Sequence, residues 1–127
     1  MLTGTQLTAL GGDKVAYDNA IERCLIFAKL SPHQKLEVVQ ALRRGGSRAV
    51  AFLGDGVNDS LAIRAADVGI SVDSGTEIAK EAADVILLEK SLGVIAQGVL
   101  QGRTTCVLFF LSLIGGVDVS PLVSSIP

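Results

Sequence analysis

The sequence contains no tryptophan, one histidine and two cysteines, and aromatic residues supply only 4% of its 127 positions. With so few aromatic rings, the chain lacks the stacking surfaces on which proteins bind single-stranded nucleic acids. The lone histidine, His33, and the cysteines Cys24 and Cys106 have neither the spacing of a zinc site nor that of a disulfide framework. These absences exclude metal centres built on His and Cys and favour a reducing, cytosolic setting.

Charge is also scarce. Lys, Arg, Asp and Glu together supply 19% of the residues, and the formal net charge is −2. Because nucleic-acid binding depends on neutralising phosphates with basic residues, this balance argues against that class of partner. The mean hydropathy of +0.50 instead indicates a folded core or contact with a membrane, and it argues against disorder. The length predicts one domain, and the N-terminus lacks the basic and then apolar pattern of a signal peptide.

Short apolar runs without alternation predict parallel strands that are covered on both faces. They lie at 24–28, 49–53, 68–72 and 85–88. Helical patterns separate them, and this alternation predicts an α/β fold with a parallel sheet.

The helical patterns carry their own start signals. For the helix predicted at 32–44, Ser31 is the expected N-cap, Pro32 takes the first helical position, and Gln34 completes a capping box. A second helix is predicted from about 58 to 66. A third follows Ser74, where capping-box spacing to Glu77 marks its start, and it ends at about residue 83.

The segment GDGVND, residues 54–59, stands where the apolar run 49–53 ends. In parallel α/β sheets, ligands bind outside the carboxyl ends of the strands. Gly54 and Gly56 are expected to let the backbone turn sharply and to admit a ligand close by. Asp55 and Asp59 offer hard oxygen atoms, and Mg2+ is typically held by one or two carboxylates, with waters and substrate phosphate completing its shell. The segment therefore predicts a site for magnesium and phosphate.

A simpler interpretation is that the DG pair marks a turn and that Asn58 or Asp59 caps the next helix. One cap needs only one side chain, however, and two carboxylates placed so close together repel each other. Asp55 and Asp59 together thus favour cation binding, whereas Asn58 fits either interpretation.

Lys35 breaks a local rule, because it stands in the first turn of a predicted helix. The helix dipole disfavours a cation there by about 0.3–1 kcal/mol. An anion held at this helix start would reverse that cost, since free N–H groups there already attract phosphate. A solvated surface lysine is the alternative, and it stays open. His33 is interpreted only as a helix-start residue.

Three stretches carry a resemblance that spacing does not supply: SPHQK, FLGDGVNDSLAIRAADVGISV and EAADVILLEKSLGVIAQGVLQGR. They are similar to the C-terminal half of the phosphorylation domain of P-type cation-transporting ATPases, which belongs to the haloacid dehalogenase superfamily. The resemblance covers about residues 1–105 and is greatest toward the magnesium-translocating branch. It implies a Rossmann-like parallel sheet with flanking helices.

The resemblance also implies roles at matching positions, which are Lys35, Gly54, Asp55, Gly56, Asn58 and Asp59. Asp55 and Asp59 would belong to the Mg2+ site that serves phosphoryl transfer, and Lys35 would neutralise a phosphorylated aspartate. These roles agree with the chemistry, because catalysis of phosphoryl transfer is mostly positioning and charge compensation. In the intact family, ATP supplies the phosphoryl group.

Two motifs of the family are missing from these 127 residues. One is DKTGT, whose aspartate accepts the phosphoryl group, and the other is TGD; LTGT at 2–5 is only a partial echo. In this superfamily the strands that carry those motifs lie between the ones predicted at 24–28 and 49–53. The sheet is therefore expected to be incomplete and the chain alone to be inactive. Leu61 replaces a common family proline, with little consequence expected at a helix start.

Residues 106–127 are expected to form a separate apolar tail. The run CVLFFLSLIGGV, 106–117, precedes Asp118, and a spanning helix needs about 20 apolar residues. A shortened membrane segment, a frameshifted end and a core helix all stay open as interpretations.

The implied function is that of a fragment of a pump that couples ATP hydrolysis, through an aspartyl phosphate, to transport of a cation, with Mg2+ favoured. Its implied partners are the nucleotide-binding, actuator and membrane domains of the pump, together with Mg2+ and phosphate, and no nucleic acid. The intact protein is expected at the cytoplasmic face of the cell membrane, and the fragment in the cytoplasm or at the membrane. The alternatives are a soluble magnesium-dependent phosphatase of the same superfamily, against which the missing nucleophile argues, and a non-catalytic remnant.

Overall fold

The computed structural model describes residues 1–46, 49–89 and 91–115. The chain forms two compact units, Met1–Leu88 and a second that begins at Glu89. The strands of the first unit are β1 (Leu2–Thr3), β2 (Phe27–Ala28), β3 (Ala51–Leu53), β4 (Val68–Val72) and β5 (Val85–Leu87). Its helices are α1 (Gly4–Leu10), α2 (Lys14–Arg23), α3 (Pro32–Arg44), α4 (Ser60–Ala65) and α5 (Glu77–Ala82). The α/β fold with parallel strands is confirmed.

The larger sheet has the strand order β3–β4–β5, and both pairs are parallel. β4 has the bounds expected from the sequence, whereas β3 and β5 are shorter than the runs 49–53 and 85–88. Four of the five residues of β4 are buried, but β3 and β5 keep partly exposed side chains, such as Ile86 at 43%. The expectation of strands covered on both faces therefore holds for the central strand alone.

The smaller sheet pairs β1 with β2 in parallel, with Leu2 opposite Phe27 and Thr3 opposite Ala28. The sequence predicted a strand over 24–28, yet the structure limits it to two residues. The Leu2 amide donates to the Ile26 carbonyl at 2.9 Å, but neither Leu25 nor Ile26 is paired within a strand, and their side chains are 95% and 60% exposed. The strand predicted at 24–28 and the one predicted at 49–53 thus lie in separate sheets.

Helix α3 is the element that the sequence predicts best. The Ser31 hydroxyl accepts the Gln34 amide N–H, and the Gln34 side chain accepts the Ser31 amide N–H, while Pro32 opens the helix. Val38 and Ala41 of α3 pack with Leu7 and Ile21 in a buried cluster. This cluster also shows what the sequence interpretation missed, since α1 and α2 were not predicted.

For the shorter helices, the capping residues in the sequence predict the first residue less accurately. The expected cap at Ser74 is wrong, because α5 begins at Glu77 and its N-cap is Thr76, whose hydroxyl accepts the Ala79 amide N–H. Ser74 lies within a turn that the Gly75 amide closes on the Val72 carbonyl, so it stands two residues before the N-cap position. One turn of 3-10 helix, Val57–Asp59, precedes α4.

The second unit contains α6 (Leu92–Gly115), a helix of 24 residues. It runs without interruption through the boundary at 105/106 that the sequence suggested, and residues 116–127 of the expected tail lie outside the described residues. Phe109 and Phe110 on this helix are 67% and 62% exposed. Within the described residues, no helix combines the length and apolar character that a bilayer crossing requires.

Candidate functional site

The GDGVND segment extends from the carboxyl end of β3, as the sequence predicted. The Gly54 amide donates to the Ile70 carbonyl at 3.0 Å, so the pairing between β3 and β4 continues one residue past the strand. The backbone then enters the 3-10 turn and α4. The loop is thereby anchored to the sheet on one side and to a helix on the other.

Asp59 and Lys35, which are 24 positions apart in the sequence, form the central contact of this site. Lys35 Nζ lies 2.7 Å from Asp59 Oδ1, and the second carboxylate oxygen accepts the Gly56 amide N–H at 3.3 Å. The side chains are 32% and 13% exposed, respectively. The anion expected near the start of α3 is therefore a carboxylate of the chain itself, and Lys35 is not a solvated surface lysine.

Gly54 is required for a reason that the sequence did not indicate. A Cβ atom at this position would lie 2.5 Å from Asp59 Cβ and 2.9 Å from Asp59 Cγ. Neither Gly54 nor Gly56 has a positive φ, so neither serves a left-handed turn. The room beside Gly54 is filled by Asp59, whereas a Cβ at Gly56 would meet only ordinary contacts.

Asp55 and Asn58 have exposed side chains on the same loop, and neither forms a hydrogen bond or ion pair with Lys35. The backbone carbonyl of Asp55 accepts the Thr76 amide N–H at 2.9 Å. Asp59 directly precedes α4, yet its side chain makes no capping hydrogen bond to that helix. Asp59 therefore does not cap α4; its carboxylate pairs with Lys35 and accepts the Gly56 amide N–H at the start of the 3-10 turn.

The residues present fit Mg2+ better than a metal that needs an all-protein cage. Among residues 1–46, 49–89 and 91–115, no three His, Cys, Asp or Glu side chains converge as metal ligands. Mg2+ needs no such set, because it is usually held through one or two carboxylates and keeps several waters. Asp55 offers an exposed carboxylate, whereas the oxygens of Asp59 already contact Lys35 and the Gly56 amide.

A groove of about 370 Å³ lies between the two sheets of the first unit. Phe27 of β2 and Phe52 of β3 line it from opposite strands, and Val38 and Val39 of α3 also line it. Lys35 lines the same groove, so the apolar gap between the sheets adjoins the ion pair.

A second polar cluster, which the sequence interpretation missed, joins α2 to α3. The Tyr17 hydroxyl donates to Glu37 Oε2 at 3.1 Å, and His33 Nδ1 lies 3.3 Å from Glu37 Oε1. Burial, and next the neighbouring Glu37 carboxylate, raise the pKa of Tyr17 to about 12. Tyr17 is the only tyrosine in the sequence, and a tyrosine in a short polar helix gives no signal of such a pair. His33, with a side chain 75% exposed, belongs to this cluster and not to the GDGVND loop.

Comparison with known proteins yields many similar sequences, although no family model matches the chain. The chain is 51% identical over 105 residues to the "Magnesium-transporting ATPase, P-type 1" of Salmonella typhimurium, covering 83% of this chain and 11% of that protein. It is 44% identical over 104 residues to the "Probable cation-transporting ATPase F" of Mycobacterium bovis, covering 81% of this chain and 11% of that protein.

Among solved structures, a zinc-transporting PIB-type ATPase in an E2.Pi state matches with a TM-score of 0.61 and 34% identity. That match covers 83% of this chain and 19% of the solved one. The chain therefore spans only about a ninth of the length of the curated relatives it matches.

Proposed function

Since the chain belongs to the P-type ATPases, we propose that it is part of a pump that couples ATP hydrolysis, through an aspartyl phosphate, to transport of a cation. The names of the relatives favour Mg2+ as that cation. Residues 1–105 would supply the C-terminal part of the phosphorylation domain, because the similarity to the curated relatives extends over 105 residues. The intact pump would present this part at the cytoplasmic face of the membrane.

The observation that supports this proposal most strongly is the ion pair of Lys35 and Asp59 beside Asp55 at the carboxyl end of β3. Phosphoryl transfer needs fixed positive charge near the transferred group, and little other chemistry from the protein. Lys35 carries such a charge on a well-capped helix, and it is held in place by a carboxylate 2.7 Å away.

Asp55 and Asp59 are the residues that would hold the Mg2+ cofactor, with Asn58 on the same loop and the Gly54 and Gly56 backbone around it. When bound, Mg2+ would neutralise charge on the phosphate oxygens. Asp55 would present its exposed carboxylate directly. Asp59 would have to share its oxygens with Lys35 and the Gly56 amide.

The groove between β2 and β3 supports the proposal that other parts of the pump complete this domain. Both strands have an edge without a partner strand in the described chain, and apolar side chains line the gap between them. A pump segment with an acceptor aspartate, inserted as one or more strands, would pair these edges and bring the aspartate near Lys35. The chain contains no DKTGT, so the aspartate has to come from such a segment.

A chimaeric pump tests the proposal. Residues 1–105 of this chain replace the aligned segment of the Salmonella relative, and phosphoenzyme formation and Mg2+-dependent ATP hydrolysis are measured in membranes. We expect the chimaera to be active and Asp55→Asn to lose turnover by about 100-fold or more while the protein still folds, because a charge needed in phosphoryl transfer is removed.

The matched control is Asp13→Asn, an identical change of carboxylate to amide. Asp13 caps α2 through its side chain, and asparagine caps helices equally well. The control variant should keep its turnover. Normal turnover in Asp55→Asn would remove the metal assignment, and an inactive chimaera whose protein is folded and inserted would remove the family function.

The phosphatase alternative is tested on the 127-residue chain alone. We expect no hydrolysis of ATP or of a simple phosphate ester in Mg2+, because no aspartate stands in a DKTG setting to accept the phosphoryl group. Mg2+-dependent turnover that disappears in Asp55→Asn would establish the phosphatase instead.

A further inference from the structure

Strand β4 is joined to the backbone of the GDGVND segment by the buried hydroxyl of Ser71. Ser71 is fully buried and is the one buried polar residue among those the structure describes. Its hydroxyl donates to the Gly54 carbonyl at 3.0 Å. Because a hydroxyl in an apolar interior is costly unless it is hydrogen-bonded, this bond fixes both the serine rotamer and the Gly54 peptide.

A second bond reaches the next peptide. The Thr76 amide donates to the Asp55 carbonyl at 2.9 Å. The peptide groups before and after the Asp55 α-carbon are thus both held through their carbonyls. Ser71 holds that of Gly54, and Thr76 holds that of Asp55. The backbone that carries the Asp55 carboxylate is therefore restrained by hydrogen bonds from β4 and from the loop that follows it.

The loop after β4 passes so close to the GDGVND segment that a side chain at Gly75 would have no room. A Cβ atom there would lie 2.9 Å from Ser71 Oγ, 2.9 Å from the Val72 carbonyl and 3.2 Å from the Asp55 carbonyl. Gly75 does not have a positive φ, so close approach and not backbone conformation is the reason for glycine.

We propose that Ser71, Gly75 and Thr76 are positioning residues that hold the Asp55 backbone in the conformation in which its carboxylate receives Mg2+. The inference rests on the proposed function for the role of Asp55, but the restraint itself does not. None of the three residues needs to contact the cation or the phosphate. They act by restricting the peptides on either side of Asp55, as outer residues orient the ligands of a metal site.

The first test measures the restraint without metal. Amide hydrogen exchange is followed residue by residue on the 127-residue chain in Mg2+-free buffer. Exchange at the Thr76 amide should accelerate about tenfold in Ser71→Ala, which loses the bond to Gly54, and in Gly75→Ala, whose added Cβ crowds the Asp55 carbonyl that accepts this amide. Ile21→Val, a truncation in the core between α1, α2 and α3, is the control for lost stability and should leave Thr76 unchanged.

The second test measures the consequence for the cation. Mg2+ alone is titrated while the amide signals of Asp55 and Gly56 are observed. Ser71→Ala should weaken Mg2+ binding about tenfold, as loss of an outer-shell partner does, while Ile21→Val binds like wild type. Asp55→Asn should remove the Mg2+-dependent shifts.

The outcomes separate the two proposals. Wild-type exchange at Thr76 in Ser71→Ala, or equal weakening of Mg2+ binding in Ile21→Val and Ser71→Ala, overturns the positioning role. Wild-type Mg2+ binding in Asp55→Asn overturns the proposed metal function, and the exchange measurement alone then decides whether these residues hold the loop.

Discussion

The two sheets of the first unit differ in how completely this chain holds their strands. β4 has a parallel neighbour on each side and four buried residues, and its Ser71 hydroxyl donates to the Gly54 carbonyl of the GDGVND segment. β2 has one partner, two paired residues and, just before it, a leucine that is 95% exposed. The region of the candidate site is thus largely complete within the chain, whereas the region around β2 ends at an open edge beside a groove. Residues close to a site can therefore be held by buried contacts even where another sheet of the same unit keeps an unpaired edge.

Truncation of the core under β4 should have the largest effect on stability. Ile63 of α4 is 1% exposed and packs against Gly69, where no Cβ would fit. We expect Ile63→Ala to lower the free energy of unfolding by about 2–5 kcal/mol, through lost burial and the cavity left behind. Urea unfolding followed by far-ultraviolet circular dichroism measures this loss.

The control for that experiment lies two positions earlier on the same helix. Leu61 is 56% exposed, so Leu61→Ala should change the free energy of unfolding by no more than about 0.5 kcal/mol. Equal losses from both variants would mean that α4 does not pack on the sheet as described.

Hydrogen exchange compares the two sheets directly. Amides of Ile70 and Val72 in β4 should exchange at least about 100-fold more slowly than those of Phe27 and Ala28 in β2, since local opening is easiest where few contacts hold the backbone. Comparable, strong protection of both sheets, with one cooperative melting transition, would remove the distinction drawn between them.

Lys35 lies on α3, which contacts both regions, and its loss should have an intermediate effect on the free energy of unfolding. Lys35→Met leaves the Asp59 carboxylate, which is 13% exposed, without its ammonium partner. We expect a loss of about 1–2 kcal/mol, less than for a fully buried pair because the lysine is partly in water. The same urea experiment measures it.

Lys29 provides the matched control, because it lines the same groove but is exposed. Lys29→Met should lie within about 0.5 kcal/mol of wild type. If both lysine variants behave alike, the contact between Lys35 and Asp59 contributes nothing measurable to folding.

Ionisation of Tyr17, on the side of the smaller sheet, should have the smallest effect on stability at neutral pH. Folding raises the pKa of Tyr17 from 10.0 to about 12, so the folded state holds this proton more tightly than the unfolded state. The corresponding stability is complete below pH about 10 and is lost as the pH rises through about 12. Since the chain has one tyrosine and no tryptophan, ultraviolet absorbance reports the phenolate of Tyr17 alone.

Glu37→Gln separates the two causes of that shift. Removing the carboxylate should lower the pKa of Tyr17, but burial is the larger cause and should keep the pKa above its ordinary value. A titration of the variant that coincides with wild type would show that the carboxylate does not contact the hydroxyl.

Local signals in the sequence were sufficient for β4 and α3. An uninterrupted apolar run and a complete set of start residues, from Ser31 to Gln34, determine these elements almost without help from the rest of the chain. The strand predicted at 24–28 failed over three residues because strand formation needs a partner, and only Phe27 and Ala28 have one. Ser74 and Thr76 are both plausible caps, and the turn before α5 decides between them.

The location of the GDGVND segment was predictable from the sequence, and its contacts were not. The position of GDGVND after β3 follows from the apolar run before it, and the charge of Lys35 at a helix start indicated an anion nearby. That this anion is Asp59, or that Ser71 bonds to Gly54, could not be deduced, because these contacts join residues 24 and 17 positions apart through the packing of separate elements. Helices α1 and α2 were missed although Thr3 and Asp13 act as their N-caps.

The pair of Lys35 and Asp59 also affects how other ions can bind to these two side chains. Each group is the other's resident counter-ion at 2.7 Å, so an incoming anion competes with Asp59 for the ammonium and an incoming cation competes with Lys35 for the carboxylate. When an anion binds Lys35, Asp59 is released to bind a cation, and the reverse also holds. Binding of either ion therefore favours binding of the other. By thermodynamic reciprocity each ion raises the affinity of the other by the same factor. Measured alone, each ion should therefore bind more weakly than it does when both are present.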